Sequence, residues 1–504
     1  MTEPARTYRF APLDRTGWLL GLSGVQCILI AAGIFASGML LDAGVPPLAV
    51  LMPVVALSAA AFARWRGRPL HEWAPVLVRF GALQATRRHR WAAPVPLLTA
   101  ARVDERRQPP LPPFLRGLEL LDAGAVPWCP ASAHTGVGAV RDRVNGTVSG
   151  SIPVSGRGFS LMERGDQDRL LQGWGDVLSG FCTERPLVTR VQVSEWAAPA
   201  GMGEHERFLD RHVARATNAE AVESYRELLA EAAPMSVGHE ALVTVTVDQR
   251  RVTRRADVAE SHDGVVAALM DELRLVSMRL EAANLAVGAP LSVARTAEAL
   301  RLRCDPSCRP RLEARAATLA ELTGLVSRYS AAPLASLVEL DHVRTDASLH
   351  RSYLVTEWPR LEVGPNWLEP FLLHSAGVRT FCLHYEPVPP SAAQRRIDRD
   401  STRLVADEEQ RSRAGFRIGA RHRRTQAAVA EREAELVAGY AELGFTGFLT
   451  VSAADREALA VSCASYEQAA AQCGLELRAL DGQHDVGLVW SLPLGRGPAA
   501  RALS

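Results

Sequence analysis

The sequence predicts an α+β protein whose N-terminal part is a two-helix transmembrane hairpin. Two uncharged stretches, Gly17–Leu41 and Ala43–Ala63, predict the hairpin, because each is long enough to cross a hydrocarbon core of about 30 Å as a helix. The rest of the fold is predicted by a third observation. From about residue 115, helix-period and strand-period segments alternate without a strict βαβ rhythm.

The arginines around the two apolar stretches predict their orientation. Three arginines precede the first stretch and three follow the second, whereas the connecting turn carries only Asp42. They are Arg6, Arg9, Arg15, Arg64, Arg66 and Arg68. The positive-inside rule therefore predicts a plasma-membrane protein with two spans (residues 17–63), a cytoplasmic tail (residues 1–16) and both termini in the cytoplasm. A signal peptide cleaved near Ser37 is the alternative, but the first stretch is too long for it and a second span follows at once.

Residues 64–107 are predicted to be a juxtamembrane amphipathic segment. Apolar side chains recur at helical spacing over residues 70–83, at Leu70, Trp73, Val76, Leu77 and Phe80. Pro75 predicts that the helix begins or kinks there. We expect Arg64, Arg66, Arg68, Trp73 and Phe80 to lie at the membrane interface. An ordinary core helix is the alternative.

The region after this segment is predicted to form a stiff Pro-rich linker and two cytoplasmic α+β lobes. The linker is QPPLPPF at residues 108–114, for which a ligand of an SH3-type domain is the less favoured alternative. The first lobe is predicted over residues 115–340 and the second over residues 341–504. No fixed-period repeat is visible in the sequence.

The individual elements follow from periodicity, turn residues and caps. The predicted strands are 136–142 and 146–154 (a hairpin at Asn145-Gly146), 187–194, 239–247, 351–357, 379–385, 445–452, 475–480 and 486–492. The predicted helices are 160–181, 219–232 (N-cap Asn218), 262–285, 291–302, 311–329, 366–374, 392–411, 426–442 and 455–473.

The composition excludes several enzyme classes, because every one of the 57 basic residues is an arginine. A chain without lysine contains no P-loop of the G-x-x-x-x-G-K-[ST] kind, no Schiff-base lysine and no protein-kinase lysine. The 56 acidic residues leave a net charge of +1, so no global basic field favours nucleic acid as a partner.

No catalytic, cofactor-binding or metal-binding residues are predicted. The eight cysteines are dispersed apart from Cys304 and Cys308, and neither they nor the thirteen histidines show zinc-ligand spacing. Scattered cysteines of this kind are typical of reduced thiols in the cytosol. We therefore expect a protein that is not an enzyme and that binds no cofactor.

The clearest polar feature is the segment RSRAGFRIGARHRR, residues 411–424, called the arginine tip below. It contains Arg411, Arg413, Arg417, Arg421, Arg423 and Arg424 and no acidic residue. These side chains suit an acidic protein partner, or phosphates of lipid or nucleic acid. The alternative is a solvated helix balanced by acids on both sides, namely Asp407, Glu408 and Glu409 upstream and Glu431, Glu433 and Glu435 downstream.

Four segments carry a resemblance to a known family. They are RWRGRPLHEWAPVLVRF (64–80), RSYLVTEWPR (351–360), EREAELVAGY (431–440) and LPLGRG (492–497). Over nearly its whole length, the chain resembles an actinobacterial family of integral membrane, secretion-associated proteins. Its hairpin is similar to the PrgI-type small subunit of Gram-positive type IV secretion and conjugation systems. Its soluble part resembles the N-terminal domain of the conjugation ATPase, and the EccE subunit of type VII secretion is the second resemblance.

The resemblance implies a non-enzymatic, membrane-anchored structural subunit of a type IV secretion or conjugation-like apparatus. Because the chain has no P-loop lysine, the P-loop ATPase would be a separate chain that docks on it. The other implied partners are membrane lipid, further secretion-apparatus subunits and a possible homo-oligomer, whereas nucleic acid is not expected to bind directly. The alternatives are an EccE-like type VII subunit, a membrane-tethered nucleic-acid-binding module and an enzyme with no recognisable motif.

Overall fold

The computed structural model describes residues 8, 10, 24–93, 111–156, 158–200, 203–213, 218–232, 236–256, 262–312, 331–413 and 419–498. The chain divides into two compact units. One comprises residues 1–10, 90–397 and 431–497, and the other comprises residues 11–89, 398–430 and 498–504.

The N-terminal helices are α1 (Gly24–Asp42) and α2 (Pro47–Phe62). They pack against each other in antiparallel fashion, as two side-chain contacts show. Gln26 Nε2 donates to the Ala61 carbonyl at 3.0 Å, and Ser37 Oγ donates to the Val50 carbonyl at 2.6 Å. Because these polar side chains bond to the neighbouring helix, they fix its register within an otherwise apolar interface.

Among the described residues, α1 is the one helix that is long and apolar enough to cross a membrane. The sixteen-residue α2 is apolar but shorter. It is shorter than predicted because Pro46 and Pro47 set its N-terminus, where proline is favoured at the first helical position. The structure thus supports one candidate span, and residues 17–23 of the first predicted span lie outside the described part of the chain.

A small hairpin and a helix follow α2. They are β1 (Arg64–Trp65), β2 (Arg68–Pro69) and α3 (Leu70–Ala85). The two-residue turn of the hairpin has positive φ at both positions, +50° at Arg66 and +76° at Gly67, as a type I′ turn requires. The helix starts at Leu70 and continues through Pro75, so of the two predicted effects of Pro75, a beginning or a kink, the beginning is wrong.

The strands before residue 305 are β3 (Arg90–Ala92), β4 (Leu118–Asp122), β5 (Gly138–Asp142), β6 (Thr147–Ser155), β7 (Val188–Pro199), β8 (Val237–Asp248) and β9 (Ala286–Val287). The helices in this stretch are α4 (Ser132–Thr135), α5 (Arg164–Ser179), α6 (Gly203–His212), α7 (Ala219–Ala232), α8 (Gln249–Ala256), α9 (His262–Ala282) and α10 (Val293–Cys304).

The strands after residue 330 are β10 (Ala335–Val338), β11 (Val343–Thr345), β12 (Ser348–Glu357), β13 (Val378–Pro387), β14 (Leu443–Ala453) and β15 (Glu476–Ala479). The helices there are α11 (Glu369–Leu372), α12 (Pro390–Arg413), α13 (Ala420–Val437), α14 (Arg456–Gln472) and α15 (His484–Ser491).

Strands β3 to β15 form a single sheet in which every pair is antiparallel. The order is β3-β10-β11-β12-β14-β13-β7-β8-β6-β5-β4, with β15 also beside β12 and β9 also beside β6. This arrangement confirms the α+β class, because a βαβ fold would have parallel strands.

The two halves of the sheet have the same strand order and connections. Strands β4 to β9 follow the order β4-β5-β6-β8-β7 with β9 beside β6, and strands β10 to β15 follow β10-β11-β12-β14-β13 with β15 beside β12. A helical pair links the last two strands of each order, α6–α7 in the first half and α12–α13 in the second. The halves meet where β7 pairs with β13, around Ser194 opposite Cys382. They are therefore related by a pseudo-twofold axis normal to the sheet.

A repeated side-chain pair fixes the equivalence of the two halves. Ser151 on β6 lies opposite Thr244 on β8, and their hydroxyls are 2.8 Å apart. Ser352 on β12 lies opposite Thr450 on β14 in the same way, at 2.9 Å. The repeat is not visible in the sequence, because the two halves share their strand order but not a fixed spacing of residues.

One face of the sheet is apolar. In the first half α5 and α9 cover it, and Leu269 and Leu273 of α9 pack against Ile152 of β6 in one core cluster. In the second half α11 and α14 cover it with a separate cluster that includes Phe371, Tyr466 and Leu449. These buried clusters supply the hydrophobic free energy of the fold.

The other face of the sheet is polar although it is buried. Because successive strand residues point to opposite faces, the neighbours of the apolar residues line this second face. They are Ser149, Ser151, Gln192, Ser194, Thr244, Thr246, His350, Ser352, Thr380, Cys382, His384, Thr450 and Ser452. Hydrogen bonds must satisfy these groups, since a buried polar atom without a partner is costly.

Most predicted elements are confirmed in type and position. The helix over residues 219–232 is confirmed with its cap, where Asn218 Oδ1 accepts a hydrogen bond from the Glu220 N–H at 3.0 Å. The predicted strand over 486–492 is wrong, because residues 484–491 form α15. Its sequence, HDVGLVWS, is buried on nearly all sides, and a short apolar run of this kind does not distinguish strand from helix. Most of the predicted helix over 311–329 lies outside the described residues.

Two predicted boundaries differ from the structure. Residues 113–115 of the Pro-rich segment form a 3-10 turn, and Phe114 and Leu115 pack into a core cluster with Leu300 of α10. The described end of the segment is therefore packed and does not act as a free spacer. The lobe boundary predicted at residue 341 falls inside the turn between the paired strands β10 and β11, so the second half begins before Ala335.

Candidate functional site

The segment RWRGR (residues 64–68) and the start of α3 are organised by two tryptophans. The rings of Trp65 and Trp73 lie 4.5 Å apart, and Trp73 Nε1 donates to the Trp65 carbonyl at 3.0 Å. The Arg68 guanidinium lies 5.6 Å from the Trp73 ring and 3.9 Å from Glu72. The type I′ turn thus folds RWRGR back onto the start of α3.

The five predicted interface residues differ in their exposure to solvent. Arg64 and Arg66 are exposed and Phe80 is half-buried, as an interfacial position allows. Arg68 and Trp73, however, are only 7% and 3% exposed, because they pack on each other within the motif. The exposed aromatic ring is that of Trp65, which is 45% exposed and which the helical periodicity did not single out because it precedes the helix. Lipid contact by Arg64, Arg66 and Phe80 stays a prediction.

The arginine tip lies where α12 ends and α13 begins. The Arg413 side chain is 82% exposed and lies 3.3 Å from Glu409, while Arg423 and Arg424 are also exposed. Arg417 and the side chains of Arg411 and Arg421 lie outside the described residues. Of the acids expected to balance the tip, Asp407 and Glu408 lie within 3.6 Å and 4.0 Å of the buried His422. These contacts join the two helices just below the tip.

A densely hydrogen-bonded segment, called the strap, covers Leu492–Gly497 and crosses the polar face of the sheet. Gln192 of β7 holds it on both sides, since its Nε2 donates to the Leu492 carbonyl at 2.8 Å and its Oε1 accepts from the Gly495 N–H at 2.9 Å. Ser149 Oγ donates to the Leu494 carbonyl at 2.8 Å. At Gly495 φ is +64°, and a Cβ there would lie 1.8 Å from Thr246 Oγ1. Only glycine fits this position.

Arg496 anchors the strap to the first half of the sheet. Its Nε and Nη2 donate to both oxygens of Asp142 at 2.6 and 2.8 Å, and it also donates to the carbonyls of Phe114 and Arg116. Burial raises the pKa of Asp142, but the hydrogen bonds and positive charge of Arg496 lower it by a larger amount. The pKa of Asp142 therefore lies below its ordinary value. The strap follows α15 of the second half and bonds to β5, β6 and β7 of the first half. It therefore connects the two halves, and this structural role is called the clasp.

A buried cysteine and a buried histidine lie near the pseudo-twofold axis. Cys382 Sγ is 3.3 Å from His384 Nε2, which is 2.7 Å from the Trp490 carbonyl. Burial raises the pKa of the Cys382 thiol to about 12 and lowers the pKa of His384 to about 3. Both groups are therefore neutral at pH 7. A cysteine nucleophile needs the thiolate, so this pair does not have the ionisation that such chemistry requires.

His350 joins the two halves of the polar face. Its Nδ1 lies 2.7 Å from Ser452 Oγ, and its Nε2 lies 2.8 Å from the Cys304 carbonyl at the end of α10. Burial lowers the pKa of His350 to about 4, so the ring is neutral and donates one hydrogen bond while accepting another. Its role is structural.

One group of described residues has the composition of a metal site. Glu339, Asp341 and His342 lie in the turn between β10 and β11, with potential ligand atoms within 4.8 Å of one another. His342 Nδ1 lies 2.9 Å from Asp341, and Arg456 forms an ion pair with Glu339. Because these side chains already interact with one another and with a guanidinium, we assign no ion to them.

No protein-family model matches the sequence, and a comparison with curated proteins finds no match.

Proposed function

We propose that this chain is a non-enzymatic, membrane-anchored structural subunit of a type IV secretion or conjugation-like apparatus. In this proposal the N-terminal helices anchor the chain, and its duplicated α+β region presents docking surfaces. An EccE-like role in type VII secretion is the second assignment. The observation that carries the proposal is the exposed apolar surface of the N-terminal helices.

That surface favours a lipid environment for both α1 and α2. Large apolar side chains on both helices point away from their mutual interface. Ile28 and Phe35 on α1 are 68% and 69% exposed, and Leu48 and Met52 on α2 are 85% and 65% exposed. Exposed apolar patches of this kind mark membrane or protein contacts. We propose that α1 and α2 both span the membrane, with Asp42 on the external side and both termini in the cytoplasm.

The absence of lysine supports the proposal that the ATPase is a separate chain. A P-loop ATPase needs the lysine of its P-loop, which this sequence does not contain. The energy source is therefore proposed to be a separate P-loop ATPase. The buried, neutral states of His350, Cys382 and His384 also favour a structural role over a catalytic one.

The arginine tip is the proposed docking surface for that ATPase. Arg413, Arg423 and Arg424 are exposed at the end of a helical pair, and arginine recognises carboxylates through paired hydrogen bonds. The equivalent helical pair of the first half, α6–α7, carries no such run of arginines. We propose an acidic surface of the ATPase as the partner.

The test is affinity purification from native membranes with two charge-reversal variants. In the tip variant Arg413, Arg423 and Arg424 become Glu, and in the matched control three other exposed arginines, Arg164, Arg169 and Arg185, become Glu. Wild type and control should recover a P-loop ATPase equally, and the tip variant should recover about tenfold less, because interface charge reversals weaken association.

Three outcomes would contradict parts of this proposal. If the tip variant recovered as much ATPase as the wild type, the docking surface would lie elsewhere on the chain. Recovery of no ATPase by the wild type would overturn the proposed function. DNA binding that falls steeply with salt, and that only the tip variant loses, would identify a nucleic-acid-binding module instead.

A further inference from the structure

Two described residues near the N-terminus, Tyr8 and Phe10, contact the unit that contains the sheet and belong to it. They are called the N-terminal latch below. The Tyr8 N–H donates to the carbonyl of Val363, in the loop after β12, at 2.9 Å, and the Val363 N–H donates to the Tyr8 carbonyl at 3.0 Å. The Tyr8 hydroxyl lies 3.4 Å from Asp168 on α5. This antiparallel bridge holds the backbone of the latch in one register against the loop.

The Phe10 side chain completes a cluster of aromatic rings. Its ring stacks on Trp358 at a centroid distance of 5.4 Å and packs edge-to-face with Trp367 at 5.2 Å. Phe445 of β14 lies 5.1 Å from Trp358 and 6.1 Å from Phe10. Trp358, Trp367 and Phe445 are called the aromatic shelf below. Aromatic pairs at these distances attract each other beyond the burial of their area, so the shelf is a binding site for an aromatic side chain.

The backbone of β14 leaves room for the shelf. A Cβ at Gly447 would lie 2.9 Å from the Trp358 ring, closer than side chains approach, so glycine allows the ring to lie against the strand. Trp358 and Trp367 are half-buried with Phe10 in place, and removing Phe10 would expose more of both rings to water. Docking of Phe10 therefore covers apolar surface that the fold has already arranged.

The latch and β3 attach both ends of the N-terminal helical region to one unit. Residues 1–10 and 90–397 belong to that unit, and α1 and α2 lie between them in the chain. Strand β3 enters the sheet beside β10. The polar loops of a folded unit exclude it from hydrocarbon, so the whole unit lies on one side of a bilayer. A chain that leaves this unit after residue 10 and returns at residue 90 crosses a membrane an even number of times.

We propose that the N-terminal latch docks on the aromatic shelf of its own chain and thereby holds α1 and α2 in the membrane as a pair of crossings. This inference rests on the membrane anchor proposed above. It assigns a second crossing to the sixteen-residue α2, although a typical span has about 20 residues. Because the shelf is translated after both helices, the latch preserves the completed hairpin and does not direct its insertion.

The occupant of the shelf is the latch of the same copy. The aromatic side chain, the bridge to Val363 and the shelf all belong to one chain. Linkage within one chain gives the latch an effective concentration of about millimolar order, which a second copy or a free peptide must exceed.

The test places the photoreactive residue p-benzoylphenylalanine at position 10 of the full-length protein in native membranes. Irradiation should join residue 10 to a peptide that contains Trp358 or Trp367, in a product of monomer size on a denaturing gel. The matched control carries the same residue at position 208, where Phe208 is 55% exposed on α6, and should not label the shelf. Labelling of lipid or of other proteins alone from position 10 would overturn the proposal. A product of dimer size would also overturn it, because a second copy would then be the occupant.

Hydrogen exchange provides a second measurement, with three variants. The Val363 N–H should exchange about tenfold faster in Phe10→Ala, and at the wild-type rate in Phe10→Tyr and in the control Phe208→Ala. A synthetic peptide of residues 4–14, PARTYRFAPLD, should bind Phe10→Ala about tenfold more tightly than wild type, whose shelf is already occupied. Unchanged exchange in Phe10→Ala, or protection of Val363 that rises with protein concentration, would contradict the latch.

Failure of the latch and failure of the membrane anchor give different results. A protein in the membrane fraction that forms no crosslink from position 10 would refute the latch and leave the anchor standing. A protein in the soluble fraction that still forms the monomeric crosslink would refute the anchor, and with it the pair of crossings. If the crosslink forms in membranes, a reporter at Asp42 should read external, and a cytoplasmic reading would overturn the pair of crossings.

Discussion

Replacing Arg496 with methionine tests the clasp directly. The substitution keeps the apolar stem of the side chain and removes the guanidinium that bonds to both oxygens of Asp142. Asp142 is 2% exposed, so it would remain as a buried carboxylate without its cation. Breaking a buried ion pair on one side costs about 3–5 kcal/mol.

The structure places the expected cost at the lower end of this range. Asp142 still accepts hydrogen bonds from the Val144 and Asn145 N–H groups and from Asn145 Nδ2, at 2.9, 3.2 and 2.6 Å. We therefore expect a loss of about 3 kcal/mol, which corresponds to roughly 100-fold easier opening of the strap.

Hydrogen exchange followed by mass spectrometry on peptides that cover the strap measures this opening. In wild type the Gly495 N–H is protected by Gln192 Oε1, and in Arg496→Met it should exchange about 100-fold faster. Adding Asp142→Asn should restore part of the protection, because no buried charge is then left unpaired. Unchanged exchange in Arg496→Met, or strictly additive effects of the two substitutions, would refute the clasp.

Three further predictions concern other parts of the chain. First, stability should fall as the pH drops from about 6.5 to about 4. Burial lowers the pKa of His350 to about 4, so the unfolded state binds its proton first, and His350 alone contributes a loss of about 3 kcal/mol across this window. Burial also lowers the pKa of His384, to about 3, so His384 adds to the loss. His350→Gln should therefore reduce this dependence in denaturant titrations without abolishing it, and an unchanged slope would contradict the contribution of His350. Second, Gly495→Ala should displace the strap, because its Cβ would meet Thr246 Oγ1 and φ is +64°. The melting temperature should drop, Thr246→Ala should restore only part of the loss, and a wild-type melting temperature would argue against this packing. Third, a reporter inserted at Asp42 should read external and one fused after Ser504 cytoplasmic, whereas the reverse pattern would overturn the proposed orientation.

The sequence predicted the elements better than it predicted their arrangement. Strands such as residues 187–194 and 239–247 were visible because apolar and polar residues alternate and only one face meets the apolar core. The short strands β3, β9, β10 and β11 have too few residues for a period to appear. The helix α15 was missed because burial on nearly all sides removes the period that distinguishes a helix from a strand.

The duplication was not predictable from sequence, because equivalent positions carry different residues. Ser149 lies opposite Thr246, whereas the equivalent pair in the second half is His350 opposite Ser452. The helical pairs also differ in length, since α6–α7 spans residues 203–232 and α12–α13 spans residues 390–437. The motif LPLGRG was visible in sequence, but its role depends on contacts with Gln192 and Asp142, which are about 300 residues or more away.

The residues around Trp65 and Trp73 show the same limit. Helical spacing placed Trp73 and Phe80 on one face of α3, but it gave no sign that the turn at Arg66-Gly67 folds Trp65 onto Trp73. Arg68 was grouped with the exposed arginines by its charge, whereas the structure buries it against the Trp73 ring. Local tertiary contacts decide which residue of such a motif reaches the surface.

The most direct test of the proposed docking role exploits the absence of lysine. Arg424→Lys introduces the only side-chain amine in the chain, so an amine-reactive crosslinker added to native membranes reacts with this protein's side chains at the tip alone. Arg169→Lys, at another exposed arginine, is the matched control. The account predicts that Arg424→Lys, and not Arg169→Lys, forms a covalent product with a P-loop ATPase. A product with the ATPase from the control alone, or none from either variant, would contradict it.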